Sequence, residues 1–320
     1  MIPRRAALTG LAATLAVPGR ARANRRITVL VGAPAHARLD DMARGVLPFV
    51  ARAWPGTELA VRNIPGEGGL NALNALAEIT PSGSTLGWVG SPSMPARMVD
   101  RGGTGLLDRL TVLGGLLREP IAFVSPESDP VDSVQDLIRR AGEDADAVPL
   151  GTPPPGSPPH LAALRLQVVA QTRLNIVTFP SAAAARQAVL SGNVSAAVLG
   201  LSDVIAALRD GRLHGIGLAS RNRFGMLPDM PVLSEAGVPL SASIRRGFAA
   251  PAGVPADVAQ GLAAVLKAVT EDAAFKAHAD IAGFLASWID GPTWVRHMEA
   301  ERAGLAAMWR TDPWLPSSNG

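Results

Sequence analysis

The stretch Glu58-Leu59-Ala60-Val61-Arg62-Asn63-Ile64-Pro65-Gly66-Glu67-Gly68-Gly69-Leu70 decides how this chain is read. Glu58–Asn63 alternates as a strand, a glycine-rich turn follows, and Leu70–Ile79 has helical spacing. Strand, turn and helix in that order form the repeating unit of an α/β protein with largely parallel sheets. The same grammar extends outward in both directions. Ile27–Val31 is a buried-type strand, and Leu39, Met42, Ala43, Val46 and Val50 then recur on one helical face, where Pro48 is expected to distort or end the helix. Thr85–Gly90 is a strand closed by Ser91-Pro92, and Leu110–Leu113 and Ile121–Val124 read as two further strands.

Towards the C-terminus, a helix around Val134–Arg140 and a strand at Val148–Leu150 lead into the glycine- and proline-rich Gly151–Pro159. A helix over His160–Gln171 and a strand over Asn175–Phe179 follow, and Ser181 is placed to cap a helix ending at Gly192. Val194–Leu199 is a strand, Ser202 or Asp203 caps a helix that Gly211 ends, and Leu213–Ala219 is the next strand. After a strand near Arg246–Ala250, the final third reads as helical: Pro255–Val269, Glu271–Ala282 and Pro292–Trp309, with Thr311–Gly320 a loose tail.

The chain has 320 residues, 48% of them hydrophobic and 18% charged, which suits one large domain or two smaller ones and argues against disorder. It has no cysteine, so disulfides, iron–sulfur clusters, thiolate zinc sites and a cysteine nucleophile are excluded. The sequence pI near 10.4 suggests nucleic acid, but the basic excess is local. Residues 1–23 read as a cleaved export signal: Arg4 and Arg5, the apolar Ala6–Val17, then Ala21-Arg22-Ala23. Four arginines and no acid lie there, so removing them from the net +3 leaves −1 for a chain starting at Asn24. The expected location is the periplasm, by the Sec or the twin-arginine route, and nucleic acid is not an expected partner.

Candidate ligand positions lie where strands run into helices, because helix N-termini present unpaired N–H groups there. Four junctions are rich in small residues: Ala33–Arg38, Asn63–Asn71, Gly151–His160 and Pro180–Ala185. Gly66, Gly68 and Gly69 permit close backbone approach and positive φ. Catalytic patterns are weaker. Gly66-Glu67-Gly68-Gly69 is not a dinucleotide fingerprint, Ser91 and Ser202 lie outside G-x-S-x-G, and the five histidines lack metal-ligand spacing. Ser157 and His160, three residues apart, leave a periplasmic hydrolase as one alternative, and a sensor or interaction protein without transport as another.

Together these junctions resemble the Bug receptors, the solute-binding proteins of tripartite tricarboxylate transporters (TctC-like). The likeness rests on Pro65-Gly66-Glu67-Gly68-Gly69 after Asn63, on Pro81–Leu86, and on Gly151–Ala162 with Gly156, Ser157, His160, Leu161 and Ala162 in register. Val177–Ala184, Arg209–Leu213, Pro228–Gly237 and Ala250–Pro255 extend it over essentially the whole mature chain. Departures fall at His36-Ala37, at Phe179 and Ser181-Ala182, at Pro153-Pro154-Pro155, and at Arg245 or Arg246 where the family has tryptophan.

The resemblance implies a two-lobe, type II periplasmic-binding-protein fold that closes on a small carboxylate, with no cofactor, no metal and no catalysis. Residues 24–124 with 246–320 would form lobe one and 125–245 lobe two. The expected ligand contacts are Pro34, Ala35, His36, Ala37, Asn63, Pro65, Gly66, Gly68, Gly69 and Ser91 from lobe one. Gly156, Ser157, His160, Ser181, Ala182, Ser202 and Asp203 would act from lobe two. Asp203 has a helix cap as its alternative role; facing the pocket it would suit an ammonium or hydroxyl rather than a carboxylate. The expected partners are that ligand and the membrane subunits of a transporter, with the receptor itself a monomer.

Overall fold

A computed structural model describes residues 25–103 and 105–315; the export signal expected at 1–23 lies outside the described residues. The first lobe opens with β1 (Arg25–Val31), α1 (Arg38–Ala53), β2 (Thr57–Asn63), α2 (Leu70–Ala77), β3 (Thr85–Ser91) and α3 (Ser93–Asp100). Strand β4 (Leu110–Pro126) then leads to α4 (Val134–Glu143), β5 (Leu150–Thr152), α5 (Pro158–Ala170), β6 (Ile176–Thr178), α6 (Ala182–Leu190), β7 (Ala196–Gly200), α7 (Leu201–Arg209) and β8 (Leu213–Ala219). The chain returns on β9 (Ser243–Pro251) and finishes with α8 (Ala256–Glu271), α9 (Ala273–Ile281), β10 (Leu285–Asp290) and α10 (Gly291–Thr311).

The strands form one curled sheet in the order β2-β1-β3-β9-β4-β7-β5-β6, with β8 and β10 also paired to β4. Parallel pairs β1–β2 and β1–β3 build one end, and β5–β6 and β5–β7 the other. Strand β4 joins them: Leu110–Pro120 pairs with β9, while Ile121 onward pairs with β7 and β8. Each end is covered on both faces, as buried parallel strands require. Helices α1, α8 and α9 pack on one face of the first half-sheet and α2, α3 and α10 on the other. In the second, α4 and α5 cover one face and α6 and α7 the opposite one. This is a two-lobe α/β architecture.

Several local expectations are corrected. Leu110–Leu113 and Ile121–Val124 are parts of one strand, because Gly114 (φ 153) and Gly115 absorb register shifts against β9 rather than ending β4. Helix α1 continues through Pro48 to Ala53, held by buried Val46, Leu47 and Val50. The final third is not wholly helical: β10 adds antiparallel to β4, and its bulge between Ala286 and Ile289 breaks the alternation that would have marked it. Beyond α10 the chain is anchored through Trp314, which packs with Ala96, Leu161 and Leu305.

Candidate functional site

The first two loops of lobe one are built as a unit. A Cβ on Gly32 would lie 2.6 Å from Gly69 Cα, so the two turns touch. Asp40, fully buried on the first turn of α1, ties them together. Its Oδ2 accepts from the His36 N–H (2.9 Å) and Arg44 Nε (2.8 Å), and its Oδ1 accepts from Asn63 Nδ2 (2.9 Å). Burial pushes this carboxyl up, but the bonds from Arg44, Asn63 and His36 outweigh burial and hold it at about 2. Asn63 also donates to the Ala33 carbonyl at 2.9 Å, so its amide is committed to scaffolding. Pro34, Ala35 and His36 stay exposed, His36 at φ 62, and Ala37 occupies the helix N-cap position without a side-chain bond. In the next loop Gly66, Glu67, Gly68 and Gly69 all have positive φ, which three glycines make accessible, and Pro65, Gly66 and Gly68 are exposed.

Loops from the two lobes meet at Arg97 of α3. A Cβ on Gly68 would lie 2.8 Å from Arg97 Cδ, and one on Gly156 would lie 1.9 Å from Arg97 Nη2. Arg97 pairs with Asp100 at 2.5 Å, Trp314 Nε1 donates to the same Asp100 oxygen at 2.7 Å, and Arg97 reaches the Pro155 carbonyl at 3.5 Å. Burial pushes the Asp100 carboxyl up, against Trp314 and Arg97. His160 is buried and its Nδ1 accepts from the Gly156 N–H at 3.3 Å. Burial, then the Arg97 charge, lowers its pKa to about 4, so the ring is neutral and fixes the third loop. Ser157 sits at the N-cap of α5 without a side-chain cap bond, and its buried Oγ has no hydrogen-bond partner. Ser157 and His160 therefore do not form a nucleophile–base pair.

A second bridge between the lobes lies at the start of α7. Arg38 Nη2 donates to the Ser202 carbonyl at 2.9 Å, and Arg38 Nε lies 3.9 Å from Asp203 Oδ1. Neither Ser202 nor Asp203 caps this helix, contrary to expectation; Gly200 holds the N-cap position. The capping acceptor comes from β4 instead. Glu119 Oε1 accepts from the Ser202 N–H at 3.1 Å and from Ser202 Oγ at 2.6 Å. Burial, then the neighbouring Asp203 carboxylate, raises Glu119 to about 7. Asp203 is likewise pushed up by burial, opposed by Arg38, Arg186 and Arg246. Arg246, on β9, answers these two acids; its Nη1 reaches Ser93 Oγ at 3.4 Å and its buried Nε has no partner.

The β4–β9 ribbon has a second face. Ser91, Arg245 and Arg118 are cross-strand neighbours and point away from Glu119 and Arg246. Ser91 Oγ accepts from the buried Trp294 indole at 3.0 Å. Ser181 caps α6, its Oγ accepting from the Ala184 N–H at 3.1 Å; it is exposed, as it follows the outermost strand β6, with Ala182 half-buried beside it. The loops at 33–38, 63–71 and 151–160 and the pair Ser202-Asp203 thus gather around two bridges, while the hydroxyls of Ser91 and Ser181 accept from Trp294 and from the start of α6.

Residues 51–287 match the family described as the tripartite tricarboxylate transporter family receptor, TctC. The chain belongs to this family. Among curated relatives of the TctC chain, a UPF0065 protein of Bordetella bronchiseptica is 28% identical over 254 residues, covering 78% of this chain and 75% of its own. Among solved structures, R. palustris Rpa4515 with adipate superposes with a TM-score of 0.79 at 23% identity, covering 90% of this chain and 97% of that one. MatC from Rhodopseudomonas palustris with bound malate gives 0.74 at 21% identity, covering 88% and 98%. The fold is therefore that of the periplasmic binding proteins. No helix among the described residues is long and apolar enough to cross a membrane.

Arg97, Asp100, Glu119 and Trp314 were not legible as site residues, and Arg38 only as the end of the Ala33–Arg38 junction. Arg97 carried one local signal: an arginine within apolar Met94–Met98, with an acid three residues on. Glu119 carried none and Arg246 only its place where the family has tryptophan, since their meaning lies in the pairing of β4 with β9.

Proposed function

We propose that this TctC-family protein is an exported periplasmic receptor that closes its two lobes on a small carboxylate and delivers it to a tripartite membrane transporter. The observation that carries this reading is the convergence of Gly68 and Gly156, one from each lobe, on Arg97. Closure brings backbone N–H groups, helix N-termini and guanidinium donors to one place, a chemistry suited to an anion held in shared hydrogen bonds. The adipate and malate in the related structures support a carboxylate ligand. The loops at 34–37, 65–69 and 156–160 are its walls, and the unpartnered Nε of Arg246 offers a donor beside Glu119 and Asp203. The lobes divide near 24–124 with 246–320 and 125–245; the exchange of partners along β4 supports two lobes and falls between Pro120 and Ile121, a few residues before that boundary.

The receptor binds without chemistry: His160 Nδ1 is occupied by a backbone donor, and Ser157 Oγ has no base. A thermal-shift screen of mono- and dicarboxylates, malate and adipate included, tests the reading. A ligand at a hundred times its dissociation constant adds about 2.7 kcal/mol to stability. Recovery of the hit unchanged after incubation supports a receptor. A hit that is consumed overturns the non-catalytic reading, and a folded protein that no carboxylate stabilises overturns the ligand class.

A further inference from the structure

On the face of the ribbon opposite Glu119 and Arg246 lies a cavity of about 710 Å³, within the range of small-molecule sites. Its walls come from both lobes and from the ribbon between them: Arg118 and Arg245 from β4 and β9, Arg165 from α5, Arg221 after β8, and Trp294 and Glu301 from α10. Five arginines line it against one acid, Glu301. Arg223 is neutralised by Glu235 at 2.8 Å, but Arg118, Arg165, Arg221 and Arg245 make no ion pair among the described residues. Arg118 and Arg245 stand directly across from one another on adjacent strands. Like charges so placed repel, and burial, then Arg118, holds the Arg245 pKa below its usual value. Ser241 and Ser243 add neutral hydroxyls to the lining, while the Ser220 hydroxyl donates to the Asn222 carbonyl at 2.6 Å.

A cavity so lined, with a single counter-charge, is complementary to something more anionic than Glu301. We propose that this cavity is a second ligand site, separate from the interlobe loops, for a small polyanion bearing two or more phosphate or carboxylate groups. Guanidinium forks match either group in bidentate fashion. Because the lining spans both lobes, the bound polyanion clamps them together beside the ribbon. Binding removes the Arg118–Arg245 repulsion as well as adding contacts. The site does not depend on which carboxylate enters the loops on the other face.

Calorimetric titration of the whole protein with pyrophosphate and with citrate tests this and separates the phosphate from the carboxylate source. Binding of either is expected, weakening as salt rises. The double variant Arg118→Gln/Arg165→Gln is expected to bind at least about 30-fold more weakly, the loss of two charge-assisted contacts. The exposed Arg221→Gln, which leaves the packed walls untouched, is expected to lose about threefold to tenfold and guards against a folding defect in the double variant. Absence of binding by both probes overturns the inference, without bearing on the carboxylate screen. Equal affinity in wild type, the double variant and Arg221→Gln also overturns it, by placing the anion elsewhere.

Discussion

Replacing Gly156 by valine tests whether closure over Arg97 creates the ligand site. Gly156 has φ 71, and its Cβ would fall 1.9 Å from Arg97 Nη2, 2.8 Å from Asp100 Oδ2 and 2.8 Å from Trp314 Nε1. Left-handed backbone costs an L-residue about 1–2 kcal/mol in any state that keeps the turn. The clash is different, because it exists only when the lobes are together. Relieving it in place means drawing Arg97 off Asp100, and breaking an enclosed pair costs about 3–5 kcal/mol. The alternative is to leave the lobes apart. Either way the closed arrangement is disfavoured by about 3 kcal/mol or more, which corresponds to an affinity loss on the order of 100-fold. Urea unfolding should show a loss of only about 1–2 kcal/mol, while calorimetry with a carboxylate from the screen should show the 100-fold loss. An affinity within about threefold of wild type would refute the reasoning, since it would mean that ligand binding does not need the Gly156–Arg97 contact.

The same contacts make further predictions. Glu119, held at about 7 against an ordinary 4.5, stays neutral in the folded state while the unfolded chain ionises, so its effect is to lower stability as pH rises across that window. His160, held at about 4 against 6.5, acts oppositely, lowering stability as pH falls through its own window. Glu119→Gln should therefore leave the acid-side loss alone and His160→Gln the base-side loss alone, read by urea unfolding between about pH 4 and 8; unchanged slopes in both would contradict these assignments. Asp40→Ala should cost about 2 kcal/mol or more, because it frees the His36 N–H, Arg44 and Asn63 together, and a loss under about 0.5 kcal/mol would show that the loops hold without it. Ser157→Ala should change stability by less than about 0.5 kcal/mol, whereas Ser181→Ala should lose about 1 kcal/mol with its cap, both by thermal unfolding; the reverse order would contradict the hydrogen-bond assignments.

The strand–turn–helix repeats around Gly66–Gly69 and Gly151–His160, the Ser181 cap and the family likeness were all legible from residue order. Each rests on local chemistry: the period of apolar residues, the φ freedom of glycine, and a hydroxyl within reach of its own helix start. Where local signals conflicted, packing decided. Leu110–Leu113 and Ile121–Val124 read as two strands but are one, with register shifts at Gly114 and Gly115. Pro48, expected to distort or end its helix, lies in one held by its buried face. The C-terminal strand β10 was hidden by its own bulge.

The sequence by itself established an α/β receptor scaffold and the loops on which a ligand would act. Only the tertiary structure decided which charges meet there. Glu119 caps a helix that begins more than eighty residues later, Arg97 faces Gly156 across two lobes, and adjacent residues Arg245 and Arg246 are sent to opposite faces of one ribbon. Strand register and burial make those assignments, because a charge takes its partner and its pKa from what surrounds it in space, and neither is encoded in the residues beside it along the chain.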